Sequence, residues 1–136
     1  MNVEEDGFIK KHSMTAGNVH DSNEFETLFT GTERAAYADS AYKSKKHDEL
    51  LKARHIDNCV TERAYRNKPL TKEQKCHNRI HSGTRSIVER VFGVLKLHYG
   101  MSKARYLGID RNRARIGVMG FAHNLKRGLS IQQACE

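Results

Sequence analysis

Proline is almost absent, with Pro69 the only one in 136 residues. With glycine at an ordinary level, that scarcity argues against a long disordered or low-complexity segment. Cysteine is sparse as well. Cys59, Cys76 and Cys135 form no C-x-x-C pair, and an odd number cannot be fully paired within one chain. That argues against a secreted disulfide scaffold and fits a reducing cytoplasm. No apolar run approaches the length of a membrane span, and the acidic start "MNVEEDG" is unlike the basic start of a signal peptide. A glycine-rich phosphate loop, a Ser or Cys nucleophile motif and an internal repeat are all missing. The expectation is a soluble cytoplasmic protein with no membrane partner.

What the chain has in excess is positive charge. Its 24 Lys and Arg outweigh 16 Asp and Glu, for a net charge of +8 and a pI near 9.6. A balance of this sign suggests a polyanion partner, nucleic acid first, with a basic but unrelated enzyme as the alternative. The length suits one domain with one hydrophobic core. The cations cluster in two stretches. One holds Arg63, Arg66, Lys68, Lys72, Lys75 and Arg79; the other holds Lys103, Arg105, Arg111, Arg113 and Arg115, with Tyr106 among them. Gathered on one surface, such residues bind a phosphate backbone without reading sequence, and scattered they are merely solvated charges. In the second stretch Lys103 and Arg105 are the DNA-binding candidates.

Periodicity and turn chemistry predict an alternation of strands and helices, hence an α/β fold with few strands followed by two long C-terminal helices. "NVEEDG" reads as a turn and "GFIKKHSM" as a strand with nothing before it to pair with. "TAGNVHDSNEFETLF" is a loop leading into a short helix capped by Asp21 or Ser22. Residues 34–42 read as a buried strand ending at Asp39, and 44–55 as a helix capped by Ser44 with Leu50 and Leu51 inward. Residues 56–63 form a second short strand. Residues 64–78, around the proline, read as a loop with a short helical end. Long helices follow over 79–98 and 109–127, joined by a connector, and the tail "GLSIQQACE" frays.

Two acids then stand out. Asp39 follows an apolar strand, and loops at the carboxyl ends of strands are where α/β folds place reacting groups; alternatively it caps a turn. Glu89 shares a helix flank of roughly 60° with Ser82, Arg85 and Lys96, while Ile80, Ile87, Val88, Val91, Val94 and Leu95 fill a separate sector. That flank is either a wet face of spaced ion pairs or a metal-binding carboxylate beside phosphate-gripping cations. Cys76, His77 and His81, with Cys59, could be imagined around zinc, though no short ligand pair repeats on both sides.

At these residues a resemblance becomes visible. Over essentially all of its length the chain resembles the C-terminal part of bacterial insertion-sequence transposases with a DDE catalytic domain. "GFIKKHSMTAGNVHDS" is similar to the strand and loop that precede the family's second catalytic aspartate. "AAYADSAY" is similar to the strand carrying it, at Asp39. "RSIVERVFGVLK" is similar to the helix of the signature Y-x-x-R-x-x-x-E-x-x-x-x-x-x-K, with Arg85, Glu89 and Lys96 in place and Ser82 where the tyrosine belongs. "AHNLKRGL" is similar to the closing helix. The resemblance implies a ribonuclease H-like fold, here incomplete, in which three carboxylates hold two Mg2+ or Mn2+ ions for DNA cleavage and strand transfer. It implies Asp39 and Glu89 as catalytic metal ligands, Arg85 and Lys96 on terminal DNA phosphates, and the inverted-repeat ends of an insertion sequence as partner. The family's first aspartate lies upstream of anything present, and Glu4, Glu5 and Asp6 are poor substitutes in a turn. The expectation is therefore residues 1–136 as the C-terminal portion of a catalytic domain, with weak metal binding. The alternatives are a DNA-binding regulator that oligomerises with full-length transposase, or a decayed remnant.

Overall fold

The first residues fold as a β-hairpin, so the strand that the sequence left without a partner has one. In the computed structural model, which describes residues 1–134, β1 (Asn2–Val3) pairs antiparallel with β2 (Ile9–Lys11). The turn closes through Gly7 N–H to the Glu4 carbonyl at 2.9 Å and Glu4 N–H to the Phe8 carbonyl at 2.9 Å. Gly7 sits at φ +84°, a left-handed conformation that a Cβ would strain. The "NV" pair that looked like part of the turn is long enough for Val3 to meet Ile9.

The remaining elements are β3 (Ala35–Ala36), α1 (Lys45–Ala53), β4 (Asp57–Asn58), α2 (Lys72–His98) and α3 (Ile109–Ala134). The chain is thus mixed α/β, with two long helices last. It divides into two compact units, one of Met1–Val19 and the chain from Ile87 onward, the other of His20–Ser86. The buried side chains accordingly form two clusters rather than the single core that length suggests.

In the first unit Ile9, Val91, Leu95 and Met119 are buried together, with Met1, Val3, Tyr99 and Met101 packed around them. The "HN" of α3 secures the hairpin. Asn124 accepts from the Ile9 N–H and donates to the Ile9 carbonyl, both at 2.9 Å, as a neighbouring strand would. His123, buried, donates to the Gly7 carbonyl at 3.1 Å, and Arg127 donates to the Asp6 carbonyl at 2.7 Å. Helix α3 continues through Ala134, past the predicted stop at 127. Gly128 in its interior costs about 1 kcal/mol relative to alanine, less than continued helix hydrogen bonding returns. Cys135 and Glu136 lie outside the described residues. The apolar positions of α3 are less buried than their pattern predicts: Met119 is buried, whereas Val118, Phe121 and Leu125 are exposed.

The second unit is a parallel strand–helix–strand. The ladder runs beyond the short strands: Asp57, Cys59 and Thr61 N–H groups donate to the carbonyls of Arg34, Ala36 and Ala38 at 2.8–3.1 Å. The strand ends at Asp39 as expected, where Ser40–Tyr42 turn into a 3-10 helix with Asp39 as its cap. Helix α1 begins as predicted, the Ser44 Oγ accepting from His47 N–H at 3.2 Å. Its end is a Schellman closure: His55 takes φ 55°, and Ile56 and His55 N–H groups reach back to the Leu51 and Lys52 carbonyls. Leu51 is fully buried with Phe25, Ala36, Ile56 and Val60; Leu50 is half-buried. The predicted helix after residue 20 is instead two 3-10 turns, Asp21–Glu24 and Glu26–Leu28, and the cap falls on His20 rather than on Asp21 or Ser22. There Phe25 stacks on His47 with ring centroids 4.5 Å apart.

Helix α2 starts at Lys72, seven residues before the predicted start. Thr71 and Gln74 form a reciprocal capping box, Thr71 N–H donating to Oε1 at 3.0 Å and Gln74 N–H to Oγ1 at 3.2 Å. That satisfies the first helical donors and lets a polar, basic segment enter the helix.

Candidate catalytic site

Asp39 stands where the parallel ladder gives way to a turn, and both of the readings that its sequence position allows are realised at once. Its Oδ1 accepts from Ser40 N–H at 2.6 Å, so it is a cap. The same oxygen meets Arg85 Nη1 at 3.4 Å, across 46 residues of sequence. The side chains of Arg85 and Asp39 are 34% and 59% exposed, so this ion pair is worth at most about 1 kcal/mol. Its value is positional.

The groups that hold this pair in register left no motif in the sequence. Lys43, in the segment after Asp39, bridges Asp48 at 3.3 Å and Glu62 at 3.0 Å. Burial lowers the Lys43 affinity for its proton, but Glu62 and Asp48 together outweigh it and hold the ammonium above its usual range. Glu62 in turn is fixed by Asn78 of α2, which accepts from its N–H at 2.8 Å and donates to its carbonyl at 3.0 Å. Asn58 donates to Asp48 at 2.6 Å. The loop after Asp39, the end of β4 and the second turn of α2 are thereby tied together, two turns before Arg85.

The other candidates are placed as follows. Ser82, at the tyrosine position of the signature, turns its Oγ back onto the Arg79 carbonyl at 2.8 Å, so it offers nothing outward. Glu89 is an exposed residue of α2, one turn past Arg85. Arg85 and Asp39 belong to the second unit, Glu89 and Lys96 to the first. The Lys96 ammonium lies 5.9 Å from the centroid of the Phe92 ring. Lys103 and Arg105 are exposed on the connector before α3, whose backbone is well tied. Arg115 donates to the Lys103 carbonyl at 2.9 Å and the Gly100 carbonyl at 2.7 Å. Buried Asn112 accepts from the Arg105 and Tyr106 N–H groups and donates to the Tyr106 and Gly108 carbonyls. Arg113 likewise donates to the Met14 carbonyl at 3.3 Å, so of the second basic stretch Arg113 and Arg115 hold backbone carbonyls.

Among the described residues no three His, Cys, Asp or Glu side chains gather to hold a metal ion. Asp39, engaged by a backbone amide and a guanidinium, is an acceptor already in use. The residues present do not by themselves fit a two-metal centre. The zinc alternative is not assembled either. The His77 and His81 rings meet edge to face at 4.4 Å and Tyr37 lies 5.5 Å from His81, with no third ligand among the described residues. Burial, and then the neighbouring His77, push the His81 pKa down. Burial raises the Cys59 thiol, against a hydrogen bond from Tyr37. No helix among the described residues is long and apolar enough to cross a membrane.

A parallel strand–helix–strand with an aspartate just past its first strand, and a long helix bearing Arg85, Glu89 and Lys96 in signature order, define a DDE-type α/β chain. The chain belongs to the DDE transposase family: the model of the transposase DDE domain matches residues 3–125. It is also 30% identical over 122 residues to the transposase for insertion sequence element IS1106 of Neisseria meningitidis serogroup B. That match covers 88% of this chain and 42% of that protein, so the chain spans less than half the length of this curated relative. No solved structure matches it.

Proposed function

We propose that the chain supplies the second and third carboxylates, Asp39 and Glu89, of a DDE transposase of ribonuclease H-like fold acting on the DNA ends of an insertion sequence. In this reading Arg85, Lys96, Lys103 and Arg105 contact DNA phosphates. Bound Mg2+ or Mn2+ would supply the Lewis acid for phosphodiester cleavage and strand transfer. The observation that carries the reading is the Arg85–Asp39 contact, which joins the helix of the signature to the end of the parallel ladder. A structural ion pair alone would not require the arginine to lie one turn before a glutamate in that signature. The first carboxylate of the set has no counterpart among the residues present, and would come from sequence corresponding to the unmatched part of the relative or from a longer transposase.

The test joins residues 1–136 to the portion of the IS1106 transposase that this chain does not match and assays nicking of inverted-repeat duplex with Mg2+. Metal-dependent nicking is expected from the fusion and not from the 136 residues alone, and Asp39→Asn or Glu89→Gln should abolish it with folding intact. Fusion variants that nick as fast as their parent would overturn the assignment. A second reading, a DNA-binding regulator without catalysis, is favoured by the net charge of +8. It predicts that the fusion does not nick and that the chain inhibits an intact transposase in trans.

A further inference from the structure

The first basic stretch is not absorbed by the Asp39–Glu89 assignment, and the fold gives it a definite form. Tyr65 and Lys68 exchange backbone hydrogen bonds of 3.1 and 3.0 Å, making a tight turn with Arg66 and Asn67 at its tip. Arg63, Arg66 and Lys68 are exposed there, and Tyr65 between them is 66% exposed. On α2, Lys72, Lys75 and Arg79 follow at i, i+3 and i+7, which confines them to a sector of roughly 60°; all three are exposed. From Arg63 to Arg79 the only acid is Glu73, and none of the six cations has a carboxylate partner among the described residues. Glu62, the nearest acid before them, is taken by Lys43. Uncompensated like charges at helical spacing repel and weaken the helix, so the fold derives no benefit from collecting them.

Beyond the cations the same face turns low and smooth. Ser82 and Ser86 fold their hydroxyls back onto the Arg79 and Gly83 carbonyls at 2.8 and 2.7 Å. Gly83, between them, has nothing within 4 Å of where a Cβ would stand. Internal packing therefore does not explain a glycine in mid-helix, where it is unfavourable. A Cβ-free position there leaves that part of the face open to a partner approaching from outside.

We infer that the Tyr65–Lys68 turn and the Lys72–Lys75–Arg79 face of α2, continuing over Ser82, Gly83 and Ser86, form a sequence-independent docking surface for the phosphate backbone of duplex DNA. It is a surface additional to the cations beside Glu89, since Arg85 lies about a third of a turn away on the helix. The choice of DNA as the polyanion rests on the function proposed above; the surface itself rests on charge and shape. Its role is to hold DNA of any sequence, leaving end recognition and chemistry to other residues.

The experiment measures binding of a fluorescent 30-base-pair duplex of arbitrary sequence to the full chain by anisotropy across a salt series. The variants are Lys72→Gln/Lys75→Gln/Arg79→Gln, Lys45→Gln/Lys46→Gln and Gly83→Gln, each checked for helix content by circular dichroism. The triple variant should lose on the order of tenfold or more in affinity, and its log–log salt slope should fall by about 2 to 3, one counterion-release increment per lost phosphate contact. Lys45→Gln/Lys46→Gln, which removes two exposed cations of α1 outside this surface, should retain most of the binding. Gly83→Gln, which improves helix propensity, should nonetheless weaken binding. A triple variant that binds like its parent with an unchanged slope overturns the inference. So does undiminished affinity in Gly83→Gln, or tighter binding of single-stranded RNA than of duplex DNA. If the triple variant loses binding while the fusion of the preceding section proves inert, this surface stands and the catalytic assignment falls.

Discussion

Asp39 and Arg85 are each ordinary in the sequence, and what makes them a pair is geometry that no local pattern records. Spacing along α2 could place Arg85, Glu89 and Lys96 on one flank, because helical period is a local property. That Arg85 reaches Asp39 depends on Lys43, Glu62 and Asn78, whose roles come only from the tertiary arrangement. His81 is the residue whose environment makes a stability prediction. Its pKa is lowered from 6.5 by burial and by His77, so the unfolded chain takes up the proton first. The stabilising preference for neutral His81 is therefore intact above 6.5 and lost as pH falls below it. Urea midpoints measured from pH 7.5 to 5.5 should decline, and His81→Asn should flatten that decline. A midpoint in the parent that rises on acidification would contradict this.

At the level of elements, the sequence placed the cap of α1, the end of α2 and the start of α3, and missed the start of α2 and the end of α3. Helix α1 and its Ser44 cap were legible because the cap, the first turn and the Leu50–Leu51 pair agree. The start of α2 was not, because Pro69 and a polar, basic stretch resemble a loop. The capping box that overrides them is in the letters T-K-E-Q, a signal that could have been read. Thr71→Ala should cost about 1 kcal/mol and fray the first turn of α2, visible as lower helical ellipticity and a lower denaturation midpoint. The strands were hardest to bound. Only two or three residues are assigned to each, and the parallel ladder is held mainly by carbonyls of residues 34–38, which sequence cannot pair with 57–61. The hairpin at the front was missed for the opposite reason: a two-residue strand carries no period at all.

Considered whole, the chain has two clusters of buried side chains, and each should be felt separately. Leu51 and Leu95 are both fully buried, one in each cluster. Leu51→Ala and Leu95→Ala should each cost about 3 kcal/mol through lost burial and the cavity left behind. Amide exchange should speed up first within His20–Ser86 for Leu51→Ala, and in the hairpin and α3 for Leu95→Ala. Uniform loss of protection for both variants would show instead that the two clusters unfold as one. The net charge of +8 acts at this scale too: it favours approach of polyanions and makes any such contact sensitive to salt.

By itself the sequence determined the mixed α/β class, the two long closing helices, the basic character and the family, because these rest on composition, period and ordered motifs along the chain. The tertiary structure decided that Arg85 meets Asp39, that Asn124 closes the edge of β2 in place of a strand, and that the apolar residues divide between two clusters. It also decided that Arg113 and Arg115 hold backbone carbonyls, whereas the cations from Arg63 to Arg79 are exposed with no carboxylate partner among the described residues. Those outcomes depend on which backbone carbonyls and carboxylates come within hydrogen-bonding reach across tens of residues, a quantity that local spacing does not encode.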